Sequence, residues 1–269
     1  MSRSPYEPLP GVPEGSPPSR DQGRRVLDLL KVMHRLRSPG GCPWDAEQTH
    51  QSLARHLLEE THEALDAIDR GDIDALREEL GDLLLQVVFH AELAMQAGEW
   101  DVDDVAETIT TKLIRRHPHV FGDVTVGSAA EVLVNWERIK AEEKGEQRLE
   151  HDLPASLPAL ARAAKVQRRA AGVGFDWRTT DAAIGKVREE LDELASAPPE
   201  RSEDELGDVL FAVAALGRRH NVDPETALRK ATARFAERFD RMKAAALAEG
   251  VELGSLSDDE LVERFRAAR

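Results

Sequence analysis

The sequence predicts an all-α protein, on three observations. Apolar residues recur at three- and four-residue steps through most of the chain, and no segment sustains the strict alternation of a strand. Ala, Leu, Glu and Arg dominate while aromatics make up only 4%, a composition that favours helices over sheets. With 269 residues, the chain can bury one large core or two smaller ones.

Taken in order, residues 1–20 hold six prolines and almost nothing to bury, and are expected to form a disordered tail. Leu27, Leu30, Met33 and Leu36 then open a helix, which "SPGGCPWD" breaks with Pro39, Gly40, Gly41 and Pro43. Helical patterns follow over about 48–70, 72–97, 103–117 and 129–145, with Gly71-Asp72 and Gly98 between the first three. The polar, proline-ended stretch over 146–158 reads as a linker. Beyond it, helices are expected over about 158–171, 179–197, 202–220, 224–249 and 257–268. The expected organisation is therefore two helical domains, 21–145 and 159–269.

The net charge of −15 argues against a nucleic-acid polymer as partner, because a polyanion is held by clustered Lys and Arg. It leaves room for a small anion whose charge a metal ion carries. No apolar run reaches the length of a membrane span, and the N-terminus lacks the basic-then-apolar layout of a signal peptide. A single cysteine, Cys42, excludes an internal disulfide framework and fits a reducing compartment, so the cytoplasm is the expected location.

The second half repeats the first. "LLKVMHRLRSPGGCPWD" (29–45) is echoed by "AAKVQRRAAGVGFDW" (163–177), "LEETHEALDAI" (58–68) by "REELDELASA" (188–197), and "REELGDLLLQVVFHA" (77–91) by "EDELGDVLFAVAALG" (203–217). The offset is 130 residues for the first acidic spelling and 126 for the second, which reads as one shortened loop.

Those spellings carry the chemistry. On a helix, positions i and i+3 share a face, so Glu60 with Glu63 and Glu79 with Asp82 form two pairs. A tight turn at Arg70-Gly71-Asp72 would make the two helices antiparallel and set the pairs facing each other. Four converging carboxylates repel unless protons or cations neutralise them, and oxygen donors of this kind select Mg²⁺ or Mn²⁺. A single such spelling is more often a solvated face; its pairing and duplication point to a pocket. Gly81, inside its helix, recurs as Gly207 and suggests a close approach by a backbone or ligand. Further on, Lys112 and Arg116 lie four residues apart on one helix face, as do Arg234 and Arg238, and suit a polyphosphate held between metal and cations. His117 and His119, flanking Pro118, suit a loop or helix-end role rather than metal binding.

Glu59-Glu60-x-x-Glu63 followed by Glu79-x-x-Asp82, repeated as Glu189-Glu190-x-x-Glu193 and Glu205-x-x-Asp208, resembles the EExxE…ExxD pattern of the MazG-type nucleoside triphosphate pyrophosphohydrolases. "GGCPWDAEQT", "RRHPHVFGD", "VGFDW" and "ALRKATARFAERF" are similar to stretches of its two-domain bacterial members, so the resemblance covers the chain from about residue 24. It implies two tandem helical units whose four-helix-bundle cores are completed by homodimerisation. It implies Mg²⁺-dependent hydrolysis (with Mn²⁺ a possible substitute) of nucleoside or deoxynucleoside triphosphates, ordinary or aberrant, to the monophosphate and pyrophosphate. The metal ligands implied are Glu60, Glu63, Glu79 and Asp82, and Glu190, Glu193, Glu205 and Asp208. Lys112, Arg116, Arg234 and Arg238 would contact the triphosphate, and Glu59 or Glu189 would orient the attacking water as the catalytic group. The family's C-terminal half often reads Asn-x-Lys-Phe where this chain has Thr232-Ala-Arg234-Phe235, and carries a late Trp where this chain offers Phe265. The resemblance favours the second half as the active one.

Two rivals stand beside this reading. Glu59-x-x-His62 matches half of a di-iron helical site, yet the repeat offers Glu189-x-x-Asp192 and no second Glu-x-x-His occurs. The other is a non-enzymatic helical dimer that binds nucleotides or a partner protein as a regulator.

Overall fold

The computed structural model describes residue 10 and residues 23–144 and 153–269. The expected tail, apart from residue 10, and the first part of the expected linker lie outside them. Every regular element among the described residues is helical, so the chain is all-α. It divides into two compact units, Met1–Glu143 and Lys144–Arg269.

In the first unit the helices are α1 (Arg24–Arg37), α2 (Pro43–Glu47), α3 (His50–Arg70), α4 (Ile73–Ala97), α5 (Val102–Arg116), α6 (Pro118–Phe121) and α7 (Ala129–Lys144). The second holds α8 (Ala159–Gly172), α9 (Thr180–Ser196), α10 (Ser202–Arg219), α11 (Pro224–Ala248) and α12 (Asp258–Ala267). The short helices α2 and α6 fall outside the helices expected from sequence. Each starts with proline at its first position, where the missing N–H has no partner to lose and φ is already helical.

Each unit is built on an antiparallel pair. In the first, Gly71 ends α3 in the left-handed region (φ 69°), and the Asp72 side chain accepts from the Ala75 N–H to start α4. α1 and α5 pack on α4. The core is Met33, Leu53, Val88 and Phe89, with Leu29, Leu30, Leu85 and Leu93 around it. Arg37 pins the loop after α1 by donating to the Asp45 carbonyl and, at 3.1 Å, to Gln96. In the second unit α9 pairs with α10, and α8 packs on α10 and α11. Its interior is mostly small: Ala164, Ala183, Ala212, Ala214, Ala215 and Ala246, with Val209 and Met242. The loop after α8 is tied to the end of α10 through Asp176, which pairs with Arg218 and, at 3.8 Å, with Arg219. The Arg218 guanidinium holds the Asp176 carboxyl below the usual range.

The offset difference between the repeats does not come from a shortened loop. Two residues, Gly71 and Asp72, join α3 to α4, whereas the α9–α10 connection, Ala197–Arg201, is longer and contains a 3₁₀ turn. The helix arms are what shorten: α9 ends at Ser196, six residues past Glu190, while α3 runs ten past Glu60 to Arg70.

At the far end of the first pair, the Nδ1 atoms of His50 (α3) and His90 (α4) lie 2.7 Å apart with parallel rings, beside Trp100. Burial, and then the facing His50, hold His90 below the usual imidazole value. A depressed histidine contributes stability that is complete above its unfolded value, about 6.5, and is lost as pH falls below it. The unfolding midpoint, measured against that of His90→Gln across pH, is expected to lose its advantage below pH ~6.5.

Candidate functional site

The antiparallel pairs bring carboxylates together in both units. Oxygens of Glu60, Glu79 and Asp82 lie within 4.8 Å of one another, and so do those of Glu190, Glu205 and Asp208. In each case the first acid comes from the leading helix of the pair and the other two, three residues apart, come from the returning helix.

The fourth predicted ligand behaves differently in the two units. Glu63 lies beside Glu60, and its charge acts on both Glu60 and Glu79. Burial, followed by the charges of Asp82 and Glu63, pushes the Glu60 carboxyl above its ordinary value. Partial desolvation and the charges of Glu63 and Asp82 do the same to Glu79, against a small opposing pull from Arg70. Glu193 is exposed, and its side chain makes no ion pair or hydrogen bond among the described residues. One turn earlier, Lys186 Nζ lies 2.7 Å from Glu190.

The second trio is also the more buried. Glu190 is 6% exposed and Glu205 4%, while Asp208 is exposed. Lys186 bridges Glu190 and Glu189 (2.8 Å), and Arg201 lies 2.5 Å from Glu205. Glu189 and then Glu190 hold the Lys186 ammonium above its usual value. Despite this pairing, Oε2 of Glu190 is buried with no hydrogen-bond partner. Neither Lys186 nor Arg201 was singled out from sequence, although each stands four residues before its acid, the spacing at which helical ion pairs form. Their counterparts at the repeat offsets are His56 and Ala75.

Glu59 and Glu189 do not join the trios. Each is exposed and paired with the residue three positions before it, Glu59 with His56 at 3.2 Å and Glu189 with Lys186. His56 in turn meets the edge of the Trp44 ring. His62 is exposed as well, so the Glu59-x-x-His62 spelling contributes nothing to the cluster.

None of the four predicted phosphate-binding cations forms an ion pair with a trio among the described residues. Arg116 is held from two sides: its Nη2 lies 2.6 Å from Glu143 of α7, and its guanidinium sits over the Trp136 ring at 5.4 Å. Arg238 repeats the arrangement with different parts, lying over the Phe265 ring of α12 at 4.2 Å and donating from Nε to the Phe265 carbonyl. Lys112 and Arg234 make no ion pair among the described residues. Trp136, Glu143 and Phe265 thus cover two of the four cations. Sequence spacing does not show this, because the contacts join residues 20 or more positions apart on different helices. His117 lies against Trp136, in the helix-end role expected of it. A Cβ at Gly81 or Gly207 would meet nothing within 4 Å, so no described element of this chain makes the close approach expected there.

With oxygen donors converging and no sulfur or imidazole in either cluster, both trios have the donor chemistry of a hard divalent cation, and the second adds a buried, unpartnered carboxylate oxygen. No helix among the described residues is long and apolar enough to cross a membrane.

Comparison with known proteins fits this geometry. The family model of the MazG nucleotide pyrophosphohydrolase domain matches residues 48–121, the span of the first trio. The nucleoside triphosphate pyrophosphohydrolase/pyrophosphatase MazG of Thermotoga maritima is 45% identical over 253 residues, covering 93% of this chain and 98% of that protein. The nucleoside triphosphate pyrophosphohydrolase of Escherichia coli K12 is 48% identical over 236 residues, covering 84% and 89%. That of Mycolicibacterium smegmatis is 41% identical over 218 residues, covering 77% and 66%. The alignment with the Thermotoga protein runs through nearly the whole chain, and the chain belongs to the MazG family of nucleotide pyrophosphohydrolases.

Proposed function

We propose that this chain is a Mg²⁺-dependent nucleoside triphosphate pyrophosphohydrolase, cleaving nucleoside or deoxynucleoside triphosphates, ordinary or aberrant, to the monophosphate and pyrophosphate. The observation that carries the reading is the duplicated convergence of carboxylate oxygens, one of them buried without a partner, in a chain of this family. Glu60, Glu63, Glu79 and Asp82 would hold the ion in the first unit, and Glu190, Glu205 and Asp208, with Glu193 turning inward, in the second. When bound, Mg²⁺ supplies charge neutralisation for the triphosphate and a more acidic water, with Mn²⁺ a substitute. The protein's own groups do the rest. Glu59 and Glu189, each next to a ligand, would orient the water from the rim of the site. Lys112 and Arg234 would meet the phosphates, joined by Arg116 and Arg238 once these leave their aromatic covers.

The two units are read as tandem copies, domains 21–145 and 159–269 joined over 146–158, and the protein as a cytoplasmic homodimer. The apolar residues of α4 are only partly covered: Val88 is buried, while Leu80, Leu84 and Val87 are exposed. α10 shows the same stripe at Leu206, Leu210 and Val213. A second copy would cover both. Leu84→Glu combined with Leu210→Glu is expected to shift the sedimentation coefficient from dimer to monomer at micromolar concentration.

Product analysis tests the activity. With Mg²⁺ and a panel of nucleoside triphosphates, the protein is expected to release pyrophosphate and monophosphate in equal amounts, and chelation to stop the release. Release of orthophosphate and diphosphate, or no turnover of any nucleotide, would sink the proposal in favour of a nucleotide-binding regulator.

A further inference from the structure

The two acidic sites differ in one respect that the shared spelling conceals. In the first unit, Glu60, Glu63, Glu79 and Asp82 have no ion-pair partner among the described residues, and Arg70 exerts only a weak pull on Glu79. In the second, Lys186 holds one oxygen of Glu190 and Arg201 holds Glu205, both acids being more than nine-tenths buried. The positions matching Lys186 and Arg201 carry His56, which pairs with Glu59 outside the trio, and the uncharged Ala75.

We infer that the first unit binds a free divalent ion and the second binds one more weakly, because Lys186 and Arg201 already occupy part of the second site's charge. The reading of both trios as metal sites, proposed above, underlies this. An ion entering the first unit meets four mutually repelling carboxylates and relieves that repulsion. An ion entering the second meets two acids that have spent much of their field on cations 2.5–2.7 Å away. Those cations must shift or be tolerated at close range, where like charges repel. The unpartnered Oε2 of Glu190 keeps the second site open to a cation, so it is weakened and not closed. Lys186 and Arg201 thereby set the order in which the two halves fill.

Mn²⁺ titration of the full-length protein without nucleotide, followed by the electron paramagnetic resonance signal of free Mn²⁺, tests this apart from activity. Two classes of site are expected, differing by about tenfold or more in Kd, as the loss of one close charge–charge term implies. Glu79→Gln should abolish the tighter class and Glu205→Gln the weaker. Lys186→Met should tighten the weaker class by about tenfold, leaving the tighter one unchanged. Arg201→Leu should act in the same direction and serves if Lys186→Met fails to fold, as judged by circular dichroism. Loss of the tighter class in Glu205→Gln, one class of equal sites, or folded Lys186→Met and Arg201→Leu proteins that both leave the weaker class unchanged would overturn the inference alone. Absence of any Mn²⁺ binding would overturn the metal-site reading with it.

Discussion

Glu79→Gln together with Glu205→Gln abolishes pyrophosphate release, the first result we expect. Each substitution keeps side-chain volume and removes one charge from a trio whose oxygens lie within 4.8 Å of each other. Losing one electrostatic element of this kind costs about 10²–10³ in kcat. Each single variant should silence its own unit by at least that factor, so the singles report which unit turns over. A double variant that keeps activity while folded would remove the trios from the chemistry altogether. In the second unit the change has a further effect: Arg201, 2.5 Å from Glu205, loses the charge it faces. Circular dichroism melts of each variant separate this from loss of fold.

The largest effect on stability is expected from Phe89→Ala. Phe89 is 3% exposed among Met33, Leu53 and Val88, and the Arg37 guanidinium lies over its ring at 5.4 Å. Emptying such a site costs about 3–5 kcal/mol, from lost apolar burial plus the cavity left behind. The first unfolding transition should therefore shift by about 10 °C or more. Leu84→Ala, a few residues away on the same helix, removes a side chain 38% exposed and should cost the isolated chain well under half as much. Equal effects of the two in dilute protein would contradict the burial described above.

The contrast between Phe89 and Leu84 also marks how far the sequence could be read. Helix positions were legible because apolar periodicity and punctuation at Gly71 and Gly98 act locally, and α3, α4 and α5 begin and end within two residues of the expected limits. The fold class followed directly. The trios were legible in part, because i and i+3 spacing plus a two-residue turn places the pairs without long-range information. Periodicity cannot say which side of a wide apolar face is covered, so it does not separate Leu80 from Val88. Nor can it say what a charged side chain will choose. Glu193 matches Glu63 letter for letter, yet it is exposed while Glu190 beside it pairs with Lys186. Arg116 matched Lys112 in kind, yet Glu143 and Trp136 reach it from a helix that local spacing does not orient.

The alanine interior of the second unit has a consequence for evolution. Ala183 on α9 and Ala212 and Ala215 on α10 are almost wholly buried, so these helices are packed in part through methyl groups. The same two helices carry Glu190 and Glu205. An interior filled by bulky side chains can drift by exchanging one large residue for another, whereas methyl-sized contacts leave no such neutral exchanges, since enlargement wedges the helices apart. The packing of the helices that carry the opposing carboxylates thus depends on residues that bear no charge. Selection on the chemistry would reach those alanines as surely as it reaches the acids.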